Sequence, residues 1–300
     1  MLEEFKRAFQ RPNNAHVQLI IINVAVFIVL AVLNVLSKWI GFESFFEIIY
    51  NEFAIPSDIS EFVRRPWTII TYFFAHSLNQ ILHILFNMLV FYWFGKLFAE
   101  YLGSDKLMAV YVLGSLSGAL LYLMAYNLIP NPPPFLQGPA VMVGASAAIF
   151  AVMVAIATLL PDYTLFLLFL GPIRIKYIAA FYIFLSFLGS VGSNAGGEIA
   201  HLGGALAGFI YTKQLQAGSN WGNWITVTID WFKNLFRPRS HVKVTYRNQE
   251  ASAKVKKTKT DPSRVSQEEI DAILDKISAG GYESLSREEK EKLFNASKKS

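Results

Sequence analysis

Four polar residues interrupt apolar stretches of this 300-residue chain, and their types are those used in acyl transfer. His83 and Asn87 lie within HILFNM, Ser146 lies within GASAAIF, and His201 lies within AHLGG. Because polar side chains are costly in segments that cross a bilayer, each is expected to face the inside of a helix bundle. The set contains a nucleophile and a base, so the sequence suggests acyl-transfer chemistry at membrane depth.

A lone serine in such a helix most often bonds back to a carbonyl one turn earlier and performs no chemistry. The segment around Ser146 is unusually slim, because its small residues are Gly144, Ala145, Ala147, Ala148, Ala151 and Ala155. Gly204 and Gly208, which follow His201, form a second slim face. Two slim helices can approach closely. We therefore expect Ser146 to come within hydrogen-bonding reach of His201, as in a serine activated by a base.

His201 taken alone is better explained as a neutral histidine bonded to a loop carbonyl. The glycine face that follows it favours the role of a base. Glu198 lies one turn earlier, and we interpret it as a solvated loop residue rather than the third member of a triad. The expected site is a Ser–His dyad.

His83 and Asn87 are four residues apart and share one face of a helix. One role for such a pair is to donate hydrogen bonds to a developing oxyanion. Metal binding is an alternative, but one His–Asn pair and a distant histidine make a poor ligand set for zinc. A third possibility is hydrogen bonding between helices. We predict no metal and no cofactor.

The composition is that of a membrane protein, with 53% hydrophobic and 16% charged residues and a mean hydropathy of +0.37. The absence of cysteine excludes disulfide and thiol chemistry. Much of the net charge of +5 lies near the C-terminus, where Lys254, Lys256, Lys257 and Lys259 cluster. This basic stretch favours contact with anionic lipid over nucleic-acid binding.

Apolar runs predict an all-α polytopic protein with six transmembrane helices. The candidate spans are Leu19–Leu36, Ile81–Tyr101, Leu107–Leu128, Val143–Leu160, Ile173–Gly189 and Ile199–Gln216. The apolar segment Tyr163–Leu170 is too short to span alone, and we expect it to extend the exit loop of the fourth helix or to begin the fifth. Lys and Arg in the flanking loops place both termini in the cytoplasm. The four polar residues then lie just below the outer surface.

The predicted organisation has four parts. Residues 1–16 form a cytoplasmic tail, residues 17–216 the helical core, residues 217–264 an interfacial and basic linker, and residues 265–300 a short cytoplasmic helical hairpin. In the hairpin, Ser266 with Glu269 and Ser286 with Glu289 have the spacing of capping boxes. The apolar face of the hairpin is small, so we expect it to contact anionic lipid or a cytoplasmic partner.

The motifs HILFNM, GASAAIF and AHLGGALAG, in this order and on these helices, resemble those of the rhomboid intramembrane serine proteases. The segment PWTIITYFFAH is also similar to the stretch that precedes the family's first motif. The resemblance implies a six-helix bundle with a cavity open to the outer side, with Ser146 as nucleophile and His201 as base. It assigns the oxyanion site to His83, Asn87 and the backbone N–H of Ser146. It further implies supporting roles for Gly144, for Phe150 packed against the histidine, and for the helix-packing residue Gly204.

This sequence departs from the family pattern at Ala147, where glycine usually follows the serine, and its added methyl group is expected to narrow the cavity. The resemblance implies a bacterial inner-membrane endopeptidase that cleaves the transmembrane segments of other proteins near their outer ends. An inactive relative that binds or escorts membrane proteins is the alternative, and intact Ser146 and His201 argue against it. A proton-relay transporter is disfavoured, because the interiors of the spans carry no acidic residue.

Overall fold

The computed structural model of this protein describes residues 13–138, 140–167, 171–235 and 267–297, most of which are helical. The first half contains α1 Ala15–Ile40, α2 Glu43–Asn51, β1 Ile55–Pro56, α3 Ile59–Arg64, α4 Thr68–Thr71, α5 Ile81–Leu102 and α6 Ser104–Leu128. After a 3-10 turn at Pro134–Leu136 come β2 Val141–Met142, α7 Ser146–Leu159, β3 Thr164–Leu167, β4 Gly171–Arg174, α8 Ile175–Gly189, α9 Ala195–Gln216 and α10 Asn223–Leu235. The C-terminal part holds α11 Gln267–Gly280, a 3-10 turn at Tyr282–Ser284 and α12 Arg287–Ser297.

Each of the six predicted apolar segments overlaps one helix, namely α1, α5, α6, α7, α8 or α9. Within the described residues, α1, α5 and α6 are long and apolar enough to cross a membrane by themselves. The apolar helices α7 and α8 have only 14 and 15 residues. At 1.5 Å per residue they measure about 21 and 22 Å, which is less than the roughly 30 Å of a hydrocarbon core.

The expectation of an all-α fold is wrong in detail, because two short antiparallel strand pairs join the helices. Strand β1 pairs with β2, which brings Ile55 opposite Met142. Strand β3 pairs with β4, so the described part of the apolar segment, Tyr163–Leu167, belongs to the link after α7 and does not begin α8. A physical reason is the Gly171-Pro172 turn, since Gly171 has a φ of +72° that ends helical geometry. At the base of this hairpin, Lys176 and Arg174 bind Asp162 and hold the pKa of its carboxyl below the usual value.

Helix α7 lies between α6 and α9 and is almost wholly enclosed, since every residue from Ala147 to Ala157 is buried. Its neighbours approach it through glycines, which are Gly114 and Gly118 in α6 and Gly204 and Gly208 in α9. A methyl group added to any of these glycines would collide with Ala147 or Ala151 of α7. The packing therefore depends on small residues that let the helix backbones approach closely.

The segments beyond the six-helix region were predicted as an interfacial linker and a helical hairpin. Part of the linker is helix α10, which buries Ile225 and exposes Trp224 and Trp231. In the hairpin, Ser286 and Glu289 form the predicted capping box, because the Ser286 N–H donates to Glu289 Oε2 (2.8 Å) and the Glu289 N–H donates to Ser286 Oγ (3.3 Å). The Ser266 box, most of the N-terminal tail and the basic stretch 237–264 involve residues outside the described ranges.

Candidate active site

Ser146 is the first residue of α7, and the loop before it is fixed from two directions. Strand β2 pairs with β1, and the Gly144 N–H donates a hydrogen bond of 2.9 Å to the carbonyl of Tyr72. Gly144 has a φ of +136°, a conformation that glycine adopts without strain. A helix beginning at Val143 was expected, and this glycine explains why α7 starts three residues later. The serine therefore sits at a helix N-terminus, with its hydroxyl facing the cavity.

The structure brings Ser146 and His201 together, with 2.7 Å between Ser146 Oγ and His201 Nε2. Helices α7 and α9 supply the two residues, and Gly204 lies against the backbone of Ala147 just beyond them. A hydroxyl that donates to an unprotonated ring nitrogen at this distance has the geometry of a nucleophile paired with its base. The dyad geometry thus follows from close packing of the two helices.

Phe150 lies one turn after Ser146 and stacks on His201, with ring centroids 4.4 Å apart and an interplanar angle of 10°. Tyr182 of α8 packs against Phe150 in an edge-on arrangement, with ring centroids 6.1 Å apart. The imidazole is therefore confined in orientation by an aromatic pair. Sequence reasoning missed Tyr182, because one more aromatic in an apolar helix carries no distinguishing signal.

The interpretation of Glu198 as a solvated loop residue is wrong. Glu198 lies in the first turn of α9, its side chain is only 24% exposed, and its Oε2 is 3.0 Å from His201 Nδ1. The Oγ of Ser186, in α8, lies 3.1 Å from the same nitrogen. The spacing of Glu198 and His201 is visible in the sequence, but the two glycines before Glu198 obscured the start of the helix. His201 consequently has polar partners on both ring nitrogens.

His83 and Asn87 line the same cavity of about 850 Å³ as Ser146 and His201. A Cβ built on Gly144 would lie 3.6 Å from Ser146 Oγ and 3.8 Å from His83 Cε1, so the glycine separates the two side chains. His83 Nδ1 and Asn87 Nδ2 are buried and find no hydrogen-bond partner among the described residues. The first N–H groups of α7, including that of Ser146, also have no acceptor within their own helix. Several donors are therefore available around this cavity.

Comparison with known proteins identifies the family. The Rhomboid domain matches residues 63–217, which is more than half of the chain and includes every residue of the candidate site. The chain belongs to the rhomboid family. A second family match, to a family of unknown function (DUF6576), covers residues 263–299.

Two curated rhomboid relatives are mitochondrial proteins. "RHOMBOID-like protein 12, mitochondrial" of Arabidopsis thaliana is 32% identical over 200 residues, covering 64% of this chain and 58% of that protein. "Rhomboid protein 1, mitochondrial" of Saccharomyces cerevisiae is 29% identical over 182 residues, covering 54% and 49% respectively. The chain thus spans about half the length of the curated relatives it matches. Neither relative gives support to the expected bacterial origin.

Ala147, where the rhomboid pattern usually has glycine, is accommodated by a neighbouring glycine. A Cβ added to Gly118 of α6 would lie 2.6 Å from the Ala147 methyl group, so that methyl occupies the space that Gly118 leaves. The added methyl therefore packs against α6, and its expected narrowing of the cavity stays a prediction.

His76 is a further histidine next to this rhomboid site. It is fully buried at 0% exposure, and its ring centroid lies 5.9 Å from that of His83. Burial, assisted by the neighbouring His83, lowers the pKa of His76 to about 4. The imidazole is therefore neutral at physiological pH.

Proposed function

We propose that this rhomboid protein is an intramembrane serine endopeptidase that cleaves the transmembrane segments of other membrane proteins. The observation that carries the proposal is the 2.7 Å contact between Ser146 Oγ and His201 Nε2 at the edge of a large cavity. A serine held only for packing would bond to its own helix instead. Both Ser146 and His201 are present, as in the family's motifs, and this disfavours an inactive escort protein.

The proposed reaction begins when Ser146 Oγ attacks the scissile carbonyl carbon while His201 Nε2 takes up the hydroxyl proton. His201 then gives this proton to the leaving amine, which frees one product and leaves an acyl-serine. Water attacks the acyl-serine with His201 again as base, and the enzyme is restored. Both half-reactions use the same two residues.

The negative charge that develops on the carbonyl oxygen needs donors that are already in place. Asn87 Nδ2, the backbone N–H of Ser146 and the ring of His83 are proposed for this role. In support, Asn87 Nδ2 is buried beside the cavity without an acceptor among the described residues. A donor oriented in advance stabilises the transition state without reorganisation, which is the usual advantage of an oxyanion hole.

The substrate is proposed to enter laterally past α8. This helix buries only Ile175, Ala179 and Ser186, whereas α7 buries nearly all its residues. A loosely packed helix separates from its neighbours at lower cost than an enclosed one. The substrate helix must also unwind locally, because its carbonyls are otherwise engaged in hydrogen bonds.

For the membrane arrangement, we propose that α1, α5, α6, α7, α8 and α9 all cross the bilayer and that both termini lie in the cytoplasm. The short helix α7 needs no full-length lipid-facing surface, because α6 and α9 enclose it. Lysines and arginines in the predicted inner loops support this orientation. We further propose the inner membrane of a bacterium as the location, and contact of the C-terminal hairpin with anionic lipid or a cytoplasmic protein.

The function is tested with purified protein in detergent and a single-span model substrate that carries small, helix-breaking residues near its outer end. We expect the wild type to cut within that segment and Ser146→Ala and His201→Ala to retain less than about 0.1% of the rate. Mass spectrometry of the fragments locates the bond. Cleavage by Ser146→Ala at the wild-type rate would refute the proposal. A folded wild type that binds such proteins without cutting them would instead favour the escort function.

A further inference from the structure

The proposed base His201 is held on both sides of its ring. Its Nε2 lies 2.7 Å from Ser146 Oγ, and its Nδ1 lies 3.0 Å from Glu198 Oε2 and 3.1 Å from Ser186 Oγ. Glu198 and His201 are three residues apart on α9 and therefore share a face of the helix. The arrangement Ser146–His201–Glu198 has the connectivity of a catalytic triad rather than a dyad.

The partner on Nδ1 decides which ring nitrogen can act as base. Nε2 must be unprotonated to accept the Ser146 proton, so the ring hydrogen of the neutral imidazole must be on Nδ1. An ionised carboxylate only accepts hydrogen bonds and so selects this tautomer. A hydroxyl such as that of Ser186 both donates and accepts, and cannot impose the choice by itself.

The surroundings of Glu198 indicate that its side chain is held in place by packing and is not simply an acid on the surface. Gly189 at the end of α8 leaves room for the side chain, since a Cβ there would lie 2.9 Å from Glu198 Cγ. Ser186, one turn earlier in α8, is 2% exposed. In the part of the chain that the structure describes, His201 is the only basic residue within ion-pair distance of Glu198. Among the described residues, the carboxylate is thus directed at the histidine and at no other cation.

We propose that Glu198 is a positioning residue for the protease reaction, with Ser186 as a secondary partner on the same nitrogen. This inference rests on the proposed function. Glu198 holds the Nδ1–H tautomer of His201 and stabilises the imidazolium that forms during attack. It touches neither the substrate nor the reacting oxygen.

The proton balance of the step is simple. As Ser146 Oγ bonds to the carbonyl carbon, its O–H bond breaks and a new N–H bond forms at His201 Nε2. The hydrogen on Nδ1 stays there, donated to Glu198, whose carboxylate remains ionised throughout. The Nε2 proton then passes to the leaving amine, and the ring returns to its neutral tautomer.

The test compares Glu198→Gln, Glu198→Asp and Ser186→Ala with wild type in detergent, measuring kcat and KM for the model substrate and the rate of labelling by a fluorophosphonate. For Glu198→Gln we expect kcat and labelling rate to fall roughly 10- to 100-fold with KM within about twofold, because only the base is affected. Glu198→Asp should recover part of the loss. Ser186→Ala should cost no more than about threefold, since the carboxylate remains.

A second pair of variants tests the same role without relying on Glu198→Gln, which could misfold. Gly189→Ala keeps the carboxylate but presses on it, and should lower kcat severalfold with KM unchanged. Val191→Ala, in the same turn but with a side chain that is 64% exposed, is the control and should behave as wild type.

Wild-type kcat and labelling in Glu198→Gln would overturn the role of Glu198 and leave the protease proposal intact. A parallel rise in KM and fall in thermal stability, without a change in labelling rate, would likewise overturn it in favour of a structural role. Absence of both labelling and cleavage in the wild type would overturn the two proposals together.

Discussion

The α7–α9 pair is packed differently at its two ends. Beyond the site, Gly204 and Gly208 lie so close to the carbonyls of Ala147 and Ala151 that no methyl group fits between the helices. At the site itself, Ser146 and His201 border a cavity of about 850 Å³. The dense end fixes the relative position of the helices, and this position holds the proposed catalytic pair at the edge of the cavity.

The difference shows how a precise contact can exist next to a cavity. Small residues lose little side-chain entropy when buried, and they let helix backbones contact each other directly. The dense end therefore fixes the position of α9 relative to α7. The polar side chains at the open end need not pack against each other to hold their positions, because the close packing at the dense end sets the distance between Ser146 and His201. Changes at the dense end are therefore expected to have larger effects than most changes at the open end.

The largest effect is expected from breaking the dense end with Gly204→Val. Its side chain would collide with the Ala147 carbonyl and push α9 away, which separates His201 from Ser146. Overpacking of this kind costs about 1–3 kcal/mol, and we expect cleavage to become undetectable and the Tm in detergent to fall by several degrees. Leu206→Ala, on the exposed side of α9, is the control and should keep wild-type activity. An active Gly204→Val variant would contradict the role given to the dense end.

A smaller effect is expected from removing one donor at the open end with Asn87→Ala. The variant leaves helix packing unchanged but removes an amide that faces the cavity, so kcat should fall roughly 10²-fold. KM and Tm should stay close to wild type, because the amide nitrogen has no hydrogen-bond partner in the ground state among the described residues. Unchanged kcat in steady-state cleavage would remove Asn87 from the oxyanion site.

The smallest effect concerns His76, behind the open end. Because burial holds its folded-state pKa at about 4, below the ordinary 6.5, the unfolded chain takes up this proton first as the pH falls. Stability is fully present above about pH 6.5 and declines towards pH 4, by at most about 1.4 kcal/mol per pH unit. Thermal unfolding in detergent at several pH values should show a shallower decline for His76→Asn than for wild type. Equal slopes would mean that His76 takes up no proton on unfolding.

The sequence was sufficient for features that depend on residue type and period. Apolar runs located the six main helices within a few residues, and the slim faces around Ser146 and Gly204 predicted the approach that the structure contains. Features that depend on tertiary placement were missed. Glu198 follows Ala195-Gly196-Gly197, a stretch that resembles a loop in sequence. In the structure these three residues begin α9, and Glu198 lies in its first turn. No sequence pattern distinguishes Ser186 and Tyr182 from the other residues of α8. The strand pairs could not be predicted either, because they form between segments that meet only in the folded chain.

The central claim is that close helix packing makes Ser146 a nucleophile with His201 as its base. Its most direct test is labelling of the purified wild type in detergent with a fluorophosphonate, beside Ser146→Ala and His201→Ala, with the modified residue located by mass spectrometry. We predict labelling at Ser146 in the wild type and none in either variant. Labelling of His201→Ala at the wild-type rate would contradict the claim. So would an unlabelled but folded wild type, under conditions in which an active rhomboid protease is labelled.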